Sequence, residues 1–170
     1  ITVLDLGQVY NGPYATFLMA MAGARVIKVE SLRGEILRGR GETSPSAYAF
    51  ILLNQNKESL SIDLKTNQGK DIFRQLVIKA DVVLENFSPD TMSKLDLSAS
   101  SLLELNPGLI YASGSGYGRS GPHRDFLAMD LTVQAMSGVM STTGYEGTPP
   151  LKSGVPLCDF FGGVHLYGAI

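Results

Sequence analysis

Short apolar segments alternate along the chain with longer segments in which apolar residues recur every three or four positions. The short segments predict β-strands at residues 2–6, 25–30, 59–64, 81–87 and 109–113. The longer ones predict helices at 13–22, 66–80 and about 126–137, and two short helices from about Asp90 and Ser100. Residues 31–46 are polar and contain glycine, which predicts a loop. Strands alternating with helices predict an α/β fold, in which helices cover both faces of a mostly parallel sheet.

Length and composition favour one folded unit. The 170 residues are 44% hydrophobic, which is enough for one substantial core. The chain begins on a predicted strand and stops inside a helix-like run. We therefore expect residues 1–170 to form one domain at the front of a longer protein.

Charge and cysteine content exclude several classes of function. The net charge is −2 and the basic residues are scattered, so we expect no nucleic-acid surface. The single cysteine cannot form an internal disulfide, which favours a reducing, cytoplasmic setting (mitochondrial or peroxisomal in a eukaryote). No apolar run is long enough to cross a bilayer, so we expect no association with a membrane.

One carboxylate near the end of the chain needs an explanation. Asp159 stands among apolar and glycine residues, where an unpaired buried charge is expensive. Its side chain either caps a helix or serves as a carboxylate nucleophile held against a substrate. The pattern around it leaves both interpretations open.

Several polar residues follow the predicted strands. In open parallel sheets, ligands bind at the carboxyl ends of the strands. The loops at those ends carry Gln8, Tyr10, Arg38, Asn86, Tyr117 and Arg119. They predict either one polar crevice or a set of ordinary solvated turns.

Other binding chemistries have weak signals. Residues 116–121 match G-x-G-x-x-G, but Pro122 follows, and no strand ends in an acidic residue about 20 positions later. No phosphate-binding P-loop is present, and two histidines without clustered partners predict no metal site. Cys158 has no neighbouring cation to hold it as a thiolate. Basic residues in or beside loops would suit a polyphosphate if they converge; they are Arg33, Arg38, Arg40, Lys57, Lys65 and Lys94.

An ordered series of segments resembles the family III CoA-transferases, which include formyl-CoA and carnitine-type transferases and the related α-methylacyl-CoA racemases. The matching segments are VLDL (3–6), GPYAT (12–16), GARVIKVE (23–30), NKESLSIDLK (56–65), ADVVLENF (80–87) and QAMSGVMSTTG (134–144). The resemblance covers essentially the whole chain. It implies a Rossmann-like, CoA-binding domain.

The resemblance also implies roles for individual residues. Asp159 matches the catalytic aspartate of the family. Arg38 and Lys65 match positions that contact the CoA phosphates and adenosine, while Asn86, Phe87 and Lys94 match the lining of the CoA groove, and Ser115 and Tyr117 match the loop beside the pantetheine arm. Gln8 and Tyr10 stand where formyl-CoA transferase carries a His and a Gln, a departure that disfavours formate and oxalate as substrates.

The implied activity is transfer of coenzyme A from an acyl-CoA to a carboxylic acid through an intermediate on Asp159, by a protein that forms an interlocked homodimer. A racemase is the first alternative, but it needs a histidine where this chain has Met129, and His123 lies six residues earlier. The second alternative is a non-catalytic CoA-binding module in which Asp159 only caps a helix.

Overall fold

The structure is a computed structural model that describes residues 1–38 and 45–170. In that part of the chain the strands are β1 (Thr2–Asp5), β2 (Arg25–Glu30), β3 (Lys57–Ser61), β4 (Val82–Glu85) and β5 (Ile110–Ser113). The helices are α1 (Asn11–Met21), α2 (Pro45–Leu53), α3 (Asn67–Val77), α4 (Thr91–Lys94), α5 (Ala99–Leu105), α6 (Asp130–Met136) and α7 (Leu157–Ala169), with a 3₁₀ turn at Val139–Thr142.

All of the strand pairs described are parallel, and the strand order is β3-β2-β1-β4-β5. The α/β fold predicted from the sequence is confirmed. The chain runs outward from β1 to β3, and then returns to the other side of β1 to add β4 and β5. The order in which strands are added therefore reverses between β1 and β4, and folds of this kind bind ligands at that point.

Alternate strand residues enter two different cores, because successive side chains point to opposite faces of a sheet. Leu4 and Val83 pack in one core with Phe73 of α3. Val3 and Leu84 pack in the other with residues of α1. Helices thus cover both faces, as predicted.

Two of the predicted boundaries are wrong in an informative way. Helix α2 begins at Pro45, inside the predicted 31–46 loop, whose residues 39–44 lie outside the described ones. Its AYAFILL run is apolar throughout and lacks the helical periodicity that reveals α1 and α3. Helix α6 begins only at Asp130, and residues 126–129, which were predicted to be part of it, are not helical.

Candidate active site

A cavity of about 560 Å³ opens at the carboxyl ends of β1, β4 and β5. The loops after these strands form its walls together with residues 126–129 and the first turn of α7. Seven of the residues with a predicted catalytic or binding role line it: Gln8, Tyr10, Asn86, Phe87, Ser115, Tyr117 and Asp159. The loops after the strands therefore converge on one space.

Six of the described basic residues singled out from the sequence do not line this cavity: Arg33, Arg38, Lys57, Lys65, Lys94 and Arg119. Arg40, the remaining one, lies outside the described residues. Two Arg38 donors bond to the Glu30 carboxylate at 2.7 and 2.9 Å, and the guanidinium lies 4.0 Å from the centre of the Phe50 ring. Lys65 and Lys94 are exposed at the surface. The polar cavity therefore forms without Arg38 and Arg119. The CoA contacts of Arg38, Lys65 and Lys94 remain predictions.

Asp159 is the third residue of α7, and it is half-buried in the cavity wall. The positive end of a helix ordinarily stabilises a carboxylate in its first turn. In the structure, the carboxylate of Asp130 already accepts from N–H groups at this end of the helix. The N–H groups of Cys158 and Asp159 point to Asp130 Oδ1, at 2.8 and 3.4 Å. Asp130 therefore caps the helix and brings a second negative charge to its first turn.

Burial, and then the charge of Asp130, raise the pKa of Asp159 from 3.8 to about 6. Both effects disfavour the charged carboxylate. Asp159 is still mostly ionised at pH 7, but it holds a proton far more tightly than an exposed aspartate. A carboxylate of this kind is available for bonding to an electrophile.

Asn11 fixes α7 against α1. Its side-chain Nδ2 donates to the Asp159 carbonyl at 3.3 Å. A Cβ added at Gly114 would lie 2.4 Å from Asn11 Oδ1, and one at Gly162 would lie 2.4 Å from Nδ2. A Cβ at Gly163 would come within 2.8 Å of the Asn11 backbone. These glycines let α7 approach closely enough for Asp159 to reach the cavity.

The loop that carries Gln8 is held by side chains from two neighbouring segments. Asn86 accepts from Gln8 N at 2.7 Å and donates to Gln8 O at 2.9 Å. Glu35 accepts from Val9 N at 2.9 Å. Val9 has φ 62°, a left-handed conformation that a β-branched residue adopts at a cost of about 1–3 kcal/mol. The hydrogen bonds offset this strain and hold Gln8 at the cavity.

A buried charge network supports the same loop from beneath. Asp5 is fully buried and lies 2.9 Å from Lys57 Nζ and 3.8 Å from Lys28 Nζ. Burial alone would raise the pKa of Asp5, but the two lysines outweigh it and hold that pKa below 3.8. Lys57 is therefore part of the framework, and the structure gives no support for the polyphosphate contact that its charge suggested.

Sequence reasoning missed Asp130 and Asn11. An acidic residue at the start of a helix is ordinarily explained by that helix's own dipole. Nothing local shows that Asp130 caps a second helix 28 residues later. Asn11 was likewise included in a loop, and only the packing of α1 on α7 reveals its contact.

The described residues contain neither a candidate metal cluster nor a helix that could span a membrane. No group of three or more His, Cys, Asp or Glu side chains in that part of the chain is arranged to hold a metal ion. No helix there has both the length and the apolar character needed to span a bilayer.

The sequence of the chain matches one family of known proteins. The family model described as CoA-transferase family III matches residues 1–170. The chain belongs to that family.

Its relatives include proteins named as CoA-transferases. The chain is 40% identical over 172 residues to the formyl-CoA:oxalate CoA-transferase of Streptomyces avermitilis, covering 100% of the chain and 42% of the relative. It is 42% identical over 180 residues to the succinate–glutarate CoA-transferase of Agrobacterium fabrum, covering 100% and 45%. The chain thus spans less than half the length of these relatives.

Solved structures agree with this assignment. A CAIB/BAIF family protein from Brucella suis superposes with a TM-score of 0.93 at 36% identity, over 99% of this chain and 46% of that one. A Mycobacterium tuberculosis protein in an orthorhombic crystal form superposes with a TM-score of 0.92 at 40% identity, over 99% and 47%.

Proposed function

We propose that the whole protein transfers coenzyme A from an acyl-CoA to a carboxylic acid, with Asp159 as the nucleophile. The observation that carries the proposal is the half-buried Asp159 carboxylate in the wall of a cavity formed by three loops of the sheet. Membership of CoA-transferase family III supports the reaction class. We also propose that residues 1–170 are the CoA-binding domain of that protein.

The proposed chemistry begins with the ionised Asp159. A carboxylate oxygen attacks the thioester carbon of the acyl-CoA, and the C–S bond breaks to give a mixed anhydride and CoA thiolate. The thiolate then attacks the aspartyl carbonyl, which releases the first acid and leaves an aspartyl-CoA thioester. The acceptor carboxylate attacks that thioester, and its C–S bond breaks to give a second anhydride and CoA thiolate. The thiolate returns to the acceptor acyl carbon, which regenerates Asp159 and yields the new acyl-CoA.

The cavity supports this sequence by its shape and its lining. Its volume is about 560 Å³, and drug-sized ligands occupy cavities of about 300–1,000 Å³. We propose that Ser115 and Tyr117 lie along the pantetheine arm and that Asn86 and Phe87 line the CoA groove. Gln8 and Tyr10, on the opposite loop, are then placed to contact the acyl group.

We assign the polyphosphate end of CoA to the surface outside the cavity. Arg38, Lys65 and Lys94 lie outside it, and the side chain of Arg38 is 44% exposed although paired with Glu30. We keep these three as proposed contacts for the phosphates and adenosine. We propose an interlocked homodimer on the basis of the family, and a cytoplasmic location on the basis of the single cysteine.

A racemase is less well supported. Met129 is 65% exposed and lines the cavity where that chemistry needs a histidine, and a thioether carries no proton. His123 packs 4.7 Å from the Phe126 ring and is not part of the cavity lining. Neither residue supplies the second proton-transfer group.

The test measures CoA transfer by the whole protein across a panel of acyl-CoA donors and acids. We expect transfer by the wild type, and loss of at least about 1,000-fold in Asp159→Asn, whose CoA affinity should remain. Exchange of the α-proton with deuterated solvent, in the absence of any acceptor acid, would instead indicate a racemase. Unchanged transfer by Asp159→Asn would refute the assigned nucleophile. CoA binding without any turnover would indicate a binding module.

A further inference from the structure

The strongest unassigned feature is a chain of hydrogen bonds that joins α6 to the first turn of α7. Asp130 Oδ1 accepts from Cys158 N, and Asp130 Oδ2 accepts from Gln134 Nε2 at 2.6 Å. Asp130 is the first residue of α6, and Gln134 lies one turn later on the same face. The two side chains form a single unit.

Gln134 continues this unit toward the segment that leads into α7. It is completely buried, its Oε1 accepts from Ser153 N at 2.8 Å, and its Nε2 lies 3.5 Å from Val155 O. A buried amide is retained only where its donors and acceptors find partners, and here they do. The path from Ser153 to the start of α7 is therefore fixed to α6.

Asp130 also brings its charge next to Asp159, since Asp130 Oδ1 accepts from Asp159 N at 3.4 Å. Helix α1, which packs on α7, contains no charged residue, and Asp130 is the sole charged residue of α6. Cys158 adjoins Asp159 on its own helix, and Tyr10 and Arg124 line the same cavity. In the described part of the chain, burial and Asp130 together raise the pKa of Asp159.

We propose that Asp130, oriented by Gln134, is a positioning residue that fixes the first turn of α7 and places a second negative charge beside the Asp159 carboxylate. This inference rests on the proposed function. It gives Asp130 two effects: it aims Asp159 into the cavity, and it makes the carboxylate a stronger base and nucleophile.

The repulsion has a consequence for the covalent step. When Asp159 attacks the thioester it becomes a neutral acyl derivative, and its negative charge leaves on the CoA thiolate. Repulsion with Asp130 is present before the attack and absent afterwards, so it favours formation of the anhydride over the free carboxylate. A merely structural cap would have no such effect.

The test is the pH dependence of kcat/KM in the whole protein. The wild type should lose activity below about pH 6, as Asp159 takes up a proton. Asp130→Asn and Asp130→Ser keep an acceptor oxygen for Cys158 N but remove the charge. We expect the acidic limb of both to move to lower pH by about 0.5 to 1, with a lower plateau. Asp130→Glu keeps the charge, and its limb should stay near that of the wild type.

Controls separate the possible outcomes. Asp71→Asn, at an exposed residue of α3, should match the wild type in every measurement. If both neutral variants fold but keep the wild-type limb, the inference is refuted, whereas the transferase proposal stands as long as Asp159→Asn is inactive. Failure of both neutral variants to fold would also count against it, because Asp130 would then be needed for folding as such. An active Asp159→Asn would instead refute the proposed function.

Discussion

Replacing the Asp159 carboxylate with an amide should make the protein more stable while abolishing its activity. Folding raises the pKa of this group from 3.8 to about 6, so the charged form is less stable in the folded protein than in the unfolded one. A pKa shift of that size lowers the free energy of unfolding by at most about 3 kcal/mol. The group is only half-buried, and solvent screening reduces the expected gain in Asp159→Asn to about 1–2 kcal/mol.

The pH dependence has a definite sign. The destabilisation is fully present above the folded pKa of about 6, and it disappears as the pH falls toward 3.8, because the folded carboxyl is then protonated. We expect denaturant titrations of the whole protein to show Asp159→Asn as the more stable form at pH 7.5. The difference should shrink steadily between pH 6 and pH 4.

A matched control and a contradictory result complete this prediction. Asp71→Asn removes a charge from an exposed carboxylate and should change the free energy of unfolding by less than about 0.5 kcal/mol. An Asp159→Asn protein that is less stable than the wild type at pH 7.5, or whose difference from it does not vary with pH, would contradict the assigned burial and repulsion.

Two further predictions concern the framework. Lys57→Ala should lower the free energy of unfolding by about 3–5 kcal/mol because it removes the nearer of the two lysines that balance the buried Asp5 carboxylate. Arg25→Ala, at an exposed ion pair, should cost less than about 1 kcal/mol, and similar costs of the two variants in denaturant titrations would contradict the buried network. Gly162→Ala should lower kcat by about 10- to 100-fold by displacing the first turn of α7, whereas Gly168→Ala, where an added Cβ meets open space, should keep it. Equal activity of the two glycine variants would show that the close approach does not position Asp159.

The sequence predicted the fold because its strongest signals are local. Strands β1, β2, β4 and β5 are short apolar segments bounded by polar or glycine residues, and the spacing of Phe73 and Val77 indicates one buried face of α3. Helix α2 was not predicted because a uniformly apolar run shows no helical periodicity. A residue pattern reveals which face is buried only when the other face is polar.

The site was only partly predictable, for the same physical reason. Strand ends locate the loops, so Gln8, Asn86 and Tyr117 could be expected near one another before the structure was known. Long-range pairing could not be expected. The Lys57–Asp5 pair joins residues 52 positions apart, and Arg38, whose residue type suits a phosphate, is paired with Glu30. Which charges form pairs depends on the folded arrangement, and residue type alone does not determine it.

Trapping the covalent intermediate tests the central claim most directly. The whole protein is incubated with an acyl-CoA substrate and hydroxylamine, digested, and mapped by mass spectrometry, with Asp159→Asn treated in parallel. An aspartyl anhydride or thioester reacts with hydroxylamine, so we predict a hydroxamate at Asp159 in the wild type and none in the variant. Turnover that continues while Asp159 stays unmodified, or a hydroxamate on another carboxylate, would contradict the account.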